Sequence, residues 1–382
     1  MLQDSPPDQA SAPVAAARLV AAAAAARAAR IDRTGAFPTE DVAALHEAGL
    51  LAAPVPARLG GRGLGSDRLG SPELLEVLRQ IGRGNLALGR LYEGHVNSWR
   101  LVARFAPPDR QRRLAADAAA GHLFAVWNTQ GGDPVRLEPA GSGFVLRGAK
   151  IFASGAGEVT RPLVTARLPD GGVRMLVVPV ADPGPRADPS LWRVSGMRAS
   201  CSGAFSLDGI EVAAGDLVGG DGAYEQEPDF SAGIWRVAAV HLGGLEALAE
   251  AAREHLRRAG RGGDPYQAMR IGQMAMAAET ARLWLERAVA LMEEPDEAVA
   301  ADGLVAYVHL ARLATERAAL DVLELAHRSV GMQAFLQPSP IERITRDLQL
   351  YLRQPAPDRA LASAAAWVLE AEAALGDFWM SR

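Results

Sequence analysis

The order of local sequence patterns along the chain is the feature that most restricts its fold. Residues 14 to about 119 are rich in Ala, Leu, Arg and Glu, with apolar residues at helical spacing. From about Gly121 to Val218 short alternating segments with frequent turns indicate a small β-barrel or sandwich. From about Asp229 the helical pattern returns in segments long enough for a helix bundle. We therefore predict a mainly α protein with a central β domain: an N-terminal helical domain at 1–120, a middle β domain at 121–222 and a C-terminal helix bundle at 223–382.

Length and charge limit the classes of function open to the chain. With 382 residues it is too long for one ordinary core and suits about two or three domains. Its 45 acidic and 40 basic residues give a net charge of −5, so it lacks the general basic field of a nucleic-acid-binding protein. We expect a small molecule, and no nucleic acid, as its partner.

The cysteine count and the hydropathy pattern bear on the cellular compartment. Cys201 is the only cysteine, which excludes an internal disulfide and argues against a cysteine-based metal site, so we predict no metal. No apolar run of roughly 18 residues lacks a charge, and the Ala-rich segment from Val14 to Ala29 is interrupted by Arg18 and Arg27. We expect no membrane segment and a cytoplasmic location.

The predicted β region contains one clear turn signal. The segment from Gly203 to Val212 has strand-like residues on both sides of Asp208-Gly209. Asp-Gly is favoured in the two-residue turns of β-hairpins, so a hairpin is predicted here.

Five short motifs lie along the chain in an order that matches one known family. They are Gly49–Leu51 followed by Gly60–Gly63, Phe124–Asn128, Gly148–Gly155, Gly196–Ser200 with Leu207–Val212, and Gly331 with Ile341–Asp347. Together they resemble the acyl-CoA dehydrogenase superfamily over nearly the whole chain. The resemblance implies a flavoprotein oxidoreductase, assembled as a homodimer or homotetramer, with FAD as the expected cofactor and FMN or reduced flavin as alternatives.

The same resemblance implies positions for the cofactor contacts. A flavin needs an apolar slot, an aromatic wall and polar groups at the edge of its ring. The strand that ends in Trp127 and Asn128 corresponds to the strand against the flavin ring. The implied contacts are Trp127 and Phe152 as walls, Asn128 and Ser154 as polar partners, Arg261 reaching a neighbouring subunit's cofactor, and Gly331 allowing close backbone approach.

The expected catalytic base is missing. In the family pattern a glutamate follows the Arg-Asp signature, but counting from Arg346-Asp347 places Pro355 there. Some members carry the base on the first C-terminal helix, where this chain reads Gly233-Ile234-Trp235-Arg236 and has no carboxylate. Asp358 is a candidate base if the loop is rearranged; its competing interpretation is a helix N-cap.

A second departure from the pattern indicates a different chemistry. Ser154-Gly155 replaces the usual threonine-asparagine pair, and Phe152–Gly155 resembles the reduced-flavin monooxygenases that share the fold. In those enzymes a serine at this place and a histidine in the N-terminal domain assist oxygen chemistry. His95 is the matching candidate, because a histidine near neutral pKa holds or delivers a proton. His241 is a weaker candidate, and the second, C-terminal histidine of those enzymes has no counterpart after His327.

Three functions remain open at this point. The first hypothesis is oxidation of an acyl thioester, with electrons passed to an electron acceptor. The second is a two-component monooxygenase supplied by a flavin reductase. The third is a non-catalytic paralogue that binds flavin or an acyl group.

Overall fold

Helices α1 to α5 form the N-terminal part of the computed structural model, which describes residues 11–67, 69–293, 301–354 and 356–379. The helices are α1 (Ala12–Thr34), α2 (Thr39–Glu47), α3 (Ser71–Gly84), α4 (Leu86–Phe105) and α5 (Pro108–Ala119). Asn85 fixes the start of α4, because its side-chain oxygen accepts hydrogen bonds from Ala87 N at 2.9 Å and Leu88 N at 3.4 Å. Residues 1–10 and Pro355, which stands where the family pattern has its base, lie outside the described residues.

Helix α1 is long and apolar enough to cross a membrane by length and composition. One face of it, with Val14, Ala17 and Ala24, lies in the hydrophobic core. Arg27 on the same helix donates a hydrogen bond of 2.7 Å to the buried carboxylate of Asp41. The helix is thus packed as part of the helical domain.

The strands form two sheets between Phe124 and Val218. They are β1 (Phe124–Trp127), β2 (Arg136–Ala140), β3 (Gly143–Arg147), β4 (Ala149–Ala153), β5 (Arg161–Arg167), β6 (Val173–Val177), β7 (Ala187–Asp188), β8 (Gly203–Ser206), β9 (Glu211–Ala213) and β10 (Leu217–Val218). The larger sheet has the order β10-β6-β5-β2-β3-β9, with β1 parallel to β5, and the smaller has the order β4-β8-β7.

The predicted hairpin at Asp208-Gly209 is wrong. Strand β8 pairs with β4 and β7, whereas β9 pairs with β3 in the other sheet. Asp208 instead accepts a hydrogen bond of 2.7 Å from Gly148 N, which ties the turn to the start of β4. The turn chemistry is present, but it joins two sheets.

Helices α6 to α10 form the C-terminal part. They are α6 (Asp229–Arg258), α7 (Pro265–Glu293), α8 (Ala301–Val330), α9 (Pro340–Tyr351) and α10 (Pro357–Glu370). Helix α6 lies against α3 so closely that a methyl group on Gly243 would overlap the carbonyl oxygen of Arg79. The prediction of a mainly α protein with a central β region between helical segments is confirmed.

Candidate active site

A cavity of about 530 Å³ lies where the N-terminal helices, the sheet and the C-terminal bundle meet. Its walls come from α4, the end of β1, the start of α6, and the segment that joins α9 to α10. This volume lies within the range of small-molecule binding sites. The cavity is therefore the candidate active site.

Helix α4 contributes one continuous face to the cavity. Seven of its residues line it at helical spacing: Arg90, Glu93, Gly94, Asn97, Arg100, Leu101 and Arg104. Residues three, four and seven positions apart share a helix face, so a single helix presents this charged stripe.

Each carboxylate in the cavity wall is already bound by another group. Arg90 donates to Glu93 at 2.6 Å, and Asn97 donates to the other oxygen of Glu93. Asp229 pairs with Arg100 at 3.0 Å and with a second arginine, Arg104, at 2.7 Å.

Glu227 completes the set of lining carboxylates. It accepts hydrogen bonds from Ser231 Oγ at 2.8 Å and Ser231 N at 3.1 Å. Each lining carboxylate of the described residues therefore accepts hydrogen bonds from neighbouring groups, two of the three from charged arginines.

Arg236 stands in the cavity wall on the second turn of α6. Its side chain is buried, with the residue only 2% exposed, and its Nε donates to Asn97 Oδ1. Burial lowers the pKa of Arg236 to about 9, so the guanidinium is charged at neutral pH. Helix α6 therefore has no carboxylate at the place where some relatives carry the base, and it puts a cation, Arg236, in the cavity wall instead.

Tyr351 adds a neutral hydrogen-bond donor at the end of α9. Its hydroxyl is buried in the cavity wall and has no partner among the described residues. Burial raises the pKa of Tyr351 well above its usual range, so the hydroxyl keeps its proton. His241 lies behind Tyr351, with ring centroids 4.4 Å apart, and does not line the cavity.

The end of β1 forms another side of the cavity. Val126, Asn128 and Thr129 line it. Thr129 O accepts a hydrogen bond of 3.1 Å from Ile151 N, which brings β4 to the same edge and places Phe152 next to it.

Phe152 has an unusual conformation for its residue type. It is 53% exposed and has φ +51°, in the left-handed region that a side chain with Cβ rarely adopts. Phe152 itself does not line the cavity, so its role as an aromatic wall for a flavin stays a prediction.

Trp127 is not a wall of this cavity. Alternation along β1 turns it to the face opposite Val126 and Asn128. Its ring packs on Phe205, with centroids 4.9 Å apart, and its Nε1 donates to Ser154 O at 3.0 Å. The expectation of a flavin-facing tryptophan is corrected to a core residue that fixes the backbone of Ser154.

Ser154 also lies outside the cavity lining. It is buried, and its Oγ accepts a hydrogen bond of 3.3 Å from Ser202 Oγ. Ser202 is in turn 3.0 Å from the hydroxyl of Ser200. The hydroxyl belongs to a small polar network between β4 and β8.

His95 is fully buried beneath the cavity-lining face of α4. Its Nε2 is 2.8 Å from Leu51 O, and its Nδ1 accepts from Phe124 N at 3.1 Å. A backbone donor at Nδ1 requires the tautomer with the proton on Nε2, and both ring nitrogens are then occupied. Burial lowers the pKa of His95 to about 4. The expectation that His95 donates a proton in the cavity is therefore corrected: its ring links two backbone segments, at Leu51 and at Phe124.

The remaining predicted residues lie away from the cavity lining. Asp358 is exposed in the first turn of α10, where Ala356 and not Asp358 holds the N-cap position. Arg261 donates to Ser329 O at 3.4 Å, two residues before Gly331, whose φ is +71°. The roles predicted for Arg261, at a neighbouring subunit's cofactor, and for Gly331, in close backbone approach, stay predictions.

The sequence interpretation missed Arg90, Glu93, Asn97, Arg236 and Tyr351. The available signal was the helical spacing of charged residues in the run from Arg90 to Arg104. A stripe of that kind is usually a solvated face, so the pattern alone does not distinguish a cavity wall from a surface.

Comparison with known proteins places this chain in a family. Models of the acyl-CoA dehydrogenase N-terminal and C-terminal domains match residues 7–122 and 220–352. A dibenzothiophene monooxygenase from Rhodococcus erythropolis is 28% identical over 301 residues, 73% of this chain and 70% of that protein. The putative acyl-CoA dehydrogenase YdbM from Bacillus subtilis is 27% identical, over 87% of this chain and 90% of that protein.

A solved structure shows the same fold. The dibenzothiophene monooxygenase TdsC from Paenibacillus sp. A11-2, in complex with FMN and indole, superposes with a TM-score of 0.82 at 19% identity, covering 96% of this chain and 99% of that one. The two domain models match more than half of the chain, in the order predicted from its motifs. The chain belongs to the acyl-CoA dehydrogenase superfamily of flavin-dependent oxidoreductases.

Proposed function

We propose that the chain is the oxygenase of a two-component flavin-dependent monooxygenase, acting on a small organic molecule with reduced flavin from a separate reductase. The observation that carries the proposal is the cavity wall, in which each lining carboxylate is bound and an arginine occupies the helix that bears the base in some relatives. Removal of an α-proton by a carboxylate needs that carboxylate available within hydrogen-bond reach of the substrate, whereas oxygen transfer does not.

The residues of this chain have distinct tasks in the proposal. Val126, Asn128, Thr129 and Phe152 would hold the flavin, FMN or FAD, at the sheet edge. A bound reduced flavin supplies two electrons to O2, so that one oxygen atom enters the substrate and the other leaves as water. Tyr351, whose hydroxyl has no partner among the described residues, would donate a hydrogen bond to the bound ligand.

Dehydrogenation of an acyl thioester is the competing function, and Glu93 is the observation that favours it. Burial raises the pKa of Glu93, although the adjacent Arg90 opposes the shift. To act as a base, Glu93 would have to compete with its bonds to Arg90 and Asn97. We therefore place Glu93 in a positioning role, as the group that orients Asn97.

Two assays separate these functions. In the first, the flavin-loaded protein is mixed anaerobically with acyl-CoAs of different chain length, and we expect no bleaching of the flavin absorbance. In the second, a flavin reductase, NAD(P)H and ¹⁸O₂ are supplied with small aromatic compounds and organic acids, and we expect a product with one ¹⁸O atom. Bleaching by an acyl-CoA that is lost in Glu93→Gln would reject the monooxygenase and establish Glu93 as the base.

Removal of the Phe152 ring is expected to weaken flavin binding without lowering the melting temperature. Phe152→Gly relieves the left-handed strain, about 1 kcal/mol, so the melting temperature should stay equal or rise. The lost aromatic wall should weaken flavin binding about tenfold, measured by fluorescence titration. Phe152→Leu, which keeps the strain and lacks the ring, should weaken flavin binding equally but give no gain in stability. Wild-type flavin affinity in both variants would show that the ring does not contact the cofactor.

A further inference from the structure

The cavity is electropositive in a protein that is acidic as a whole. Five arginines and three carboxylates line it, which gives a formal charge of +2 within a chain of net charge −5: Arg90, Arg100, Arg104, Arg236 and Arg359 against Glu93, Glu227 and Asp229. Like charge concentrated in a cleft with low-dielectric walls attracts ions of the opposite sign. The lining therefore favours an anionic ligand.

Arg236 is the buried arginine of this set that lacks a counter-ion. Arg90 is paired with Glu93, and both Arg100 and Arg104 are paired with Asp229. Among the ion pairs within 4.0 Å that the described residues form, none includes Arg236, although it is 2% exposed. Arg236 Nη1 has no hydrogen-bond partner in the described part of the chain.

The neighbours of Arg236 hold it in place without neutralising it. Asn97 donates through its amide nitrogen to Glu93, so its oxygen is directed to Arg236 Nε. Glu93 is itself paired with Arg90, and the hydrogen bond of Arg236 is to the neutral amide of Asn97, while its guanidinium lies 5.3 Å from the centre of the Trp235 ring. This chain of contacts fixes one edge of the guanidinium and leaves the other edge available.

The available edge has space beside it. Gly233, one turn earlier on α6, also lines the cavity and has no side chain. A methyl group added there would lie 3.7 Å from Arg236 Nη2, in ordinary van der Waals contact. Because residue 233 is glycine, the space that a side chain would fill beside Arg236 is open to a ligand atom.

A buried cation without a counter-ion is costly to a folded protein unless a ligand completes it. The planar guanidinium presents paired N–H donors that match the two oxygens of a carboxylate or sulfonate. We propose that Arg236 binds the oxyanion group of the substrate, and that the substrates of this site are small organic acids. The inference rests on the proposed function for the reaction, but the binding of the anion is independent of it.

Binding of matched probes tests the proposal. Benzoate and benzenesulfonate are compared with their neutral analogues benzamide and benzenesulfonamide by isothermal titration calorimetry, with the flavin-loaded protein. We expect each anion to bind at least about tenfold more tightly than its neutral analogue, because the ion pair forms in a desolvated site. Equal affinities of anion and neutral analogue would overturn the proposal.

Variants locate the effect at Arg236. Arg236→Gln should abolish the preference for the anions, since glutamine keeps hydrogen bonding and loses the charge. Arg253→Gln is the control on the same helix: Arg253 is exposed, paired with Glu250, and outside the cavity, so the preference should be unchanged. A preference that persists in Arg236→Gln would overturn the assignment.

Stability and flavin titrations distinguish a ligand site from two other roles. If Arg236 is a structural strut, Arg236→Gln will melt at a lower temperature and keep its anion preference. If it binds the flavin phosphate, Arg236→Gln will lose affinity for FMN as well, and inorganic phosphate will compete with FMN. We expect neither result, and instead expect benzoate to raise the melting temperature of the wild type but not of Arg236→Gln.

The outcome remains separable from that of the proposed function. Anion binding that depends on Arg236, together with no ¹⁸O incorporation into any acid, would keep the binding site and reject the monooxygenase. ¹⁸O incorporation into neutral probes at the same rate in wild type and Arg236→Gln would keep the monooxygenase and reject the substrate class.

Discussion

Replacement of His95 by alanine is expected to lower the free energy of unfolding by roughly 4 to 6 kcal/mol. The variant leaves Leu51 O and Phe124 N without their partner and opens a cavity between the rings of Tyr92 and Phe124. Each unsatisfied buried backbone group costs about 1 to 3 kcal/mol, and loss of the ring adds a packing cost. Urea denaturation at pH 7 measures the change.

His95→Gln is the matched variant, because a glutamine amide satisfies one of the two backbone groups. We expect about half of the loss in stability. At a temperature where His95→Gln is folded, its rate in the reductase-coupled assay should be close to that of the wild type, because His95 does not line the cavity. Full stability combined with loss of turnover would restore a catalytic role for the histidine.

His95 also contributes to the loss of stability at acidic pH. Burial lowers the pKa of His95 from its ordinary 6.5 to about 4. Between these pH values the imidazole of His95 binds a proton in the unfolded chain but not in the folded chain. The contribution of the neutral imidazole to the free energy of unfolding is therefore present above pH 6.5 and is lost as the pH falls towards 4. The interval corresponds to about 3 kcal/mol, and this part of the acid sensitivity should be missing in His95→Gln. His241, whose pKa burial lowers to about 3, contributes with the same sign in both proteins.

Arg312→Met is expected to cost roughly 3 to 5 kcal/mol of unfolding free energy. Arg312 is fully buried on α8 and donates to Leu352 O at 2.6 Å and Gln354 O at 3.0 Å. These two carbonyls end α9 and lead into the segment that lines the cavity, so the variant should also weaken ligand binding there. Glu316 loses one of its two arginines and keeps Arg353 at 2.6 Å.

Arg317→Met provides the control for this prediction. Arg317 lies on the same helix, is exposed, and pairs with Asp321 four residues on. Exposed pairs of this kind contribute about 0 to 1 kcal/mol, so the control should unfold close to the wild type. A loss below about 1 kcal/mol in Arg312→Met would mean that the loop after α9 does not depend on this arginine.

The periodicity of the sequence was sufficient for the architecture, because helical and alternating patterns are set by local side-chain spacing. It could not orient β1. Alternation separates Trp127 from Val126 and Asn128, but which face meets the cavity depends on where α4 and β4 pack. The prediction of a hairpin at Asp208-Gly209 was wrong for a similar reason, because the residues of a turn do not determine which sheet each flanking strand joins.

The contacts of the candidate site join residues far apart in the sequence, and local sequence patterns therefore could not predict them. The bond between Arg236 and Asn97 joins residues 139 positions apart, and that between Arg100 and Asp229 joins residues 129 positions apart. His95 was singled out for its residue type, yet its neighbours on α4, Glu93 and Asn97, are the ones that face the cavity. A shift of one or two positions on a helix changes the face, and the face is decided by tertiary packing.

Lys150 gives the protein a chemical property that its many arginines do not. It is the only lysine of the 382 residues, is fully buried, and donates to Thr165 Oγ1 at 3.0 Å and Asn128 O at 3.3 Å. Amine-directed reagents therefore gain a lysine target only when the two sheets separate. The mass increment from that one label counts the molecules whose β region has opened. Because Lys150 bonds to Asn128, the label reports on opening beside the end of β1 that lines the cavity.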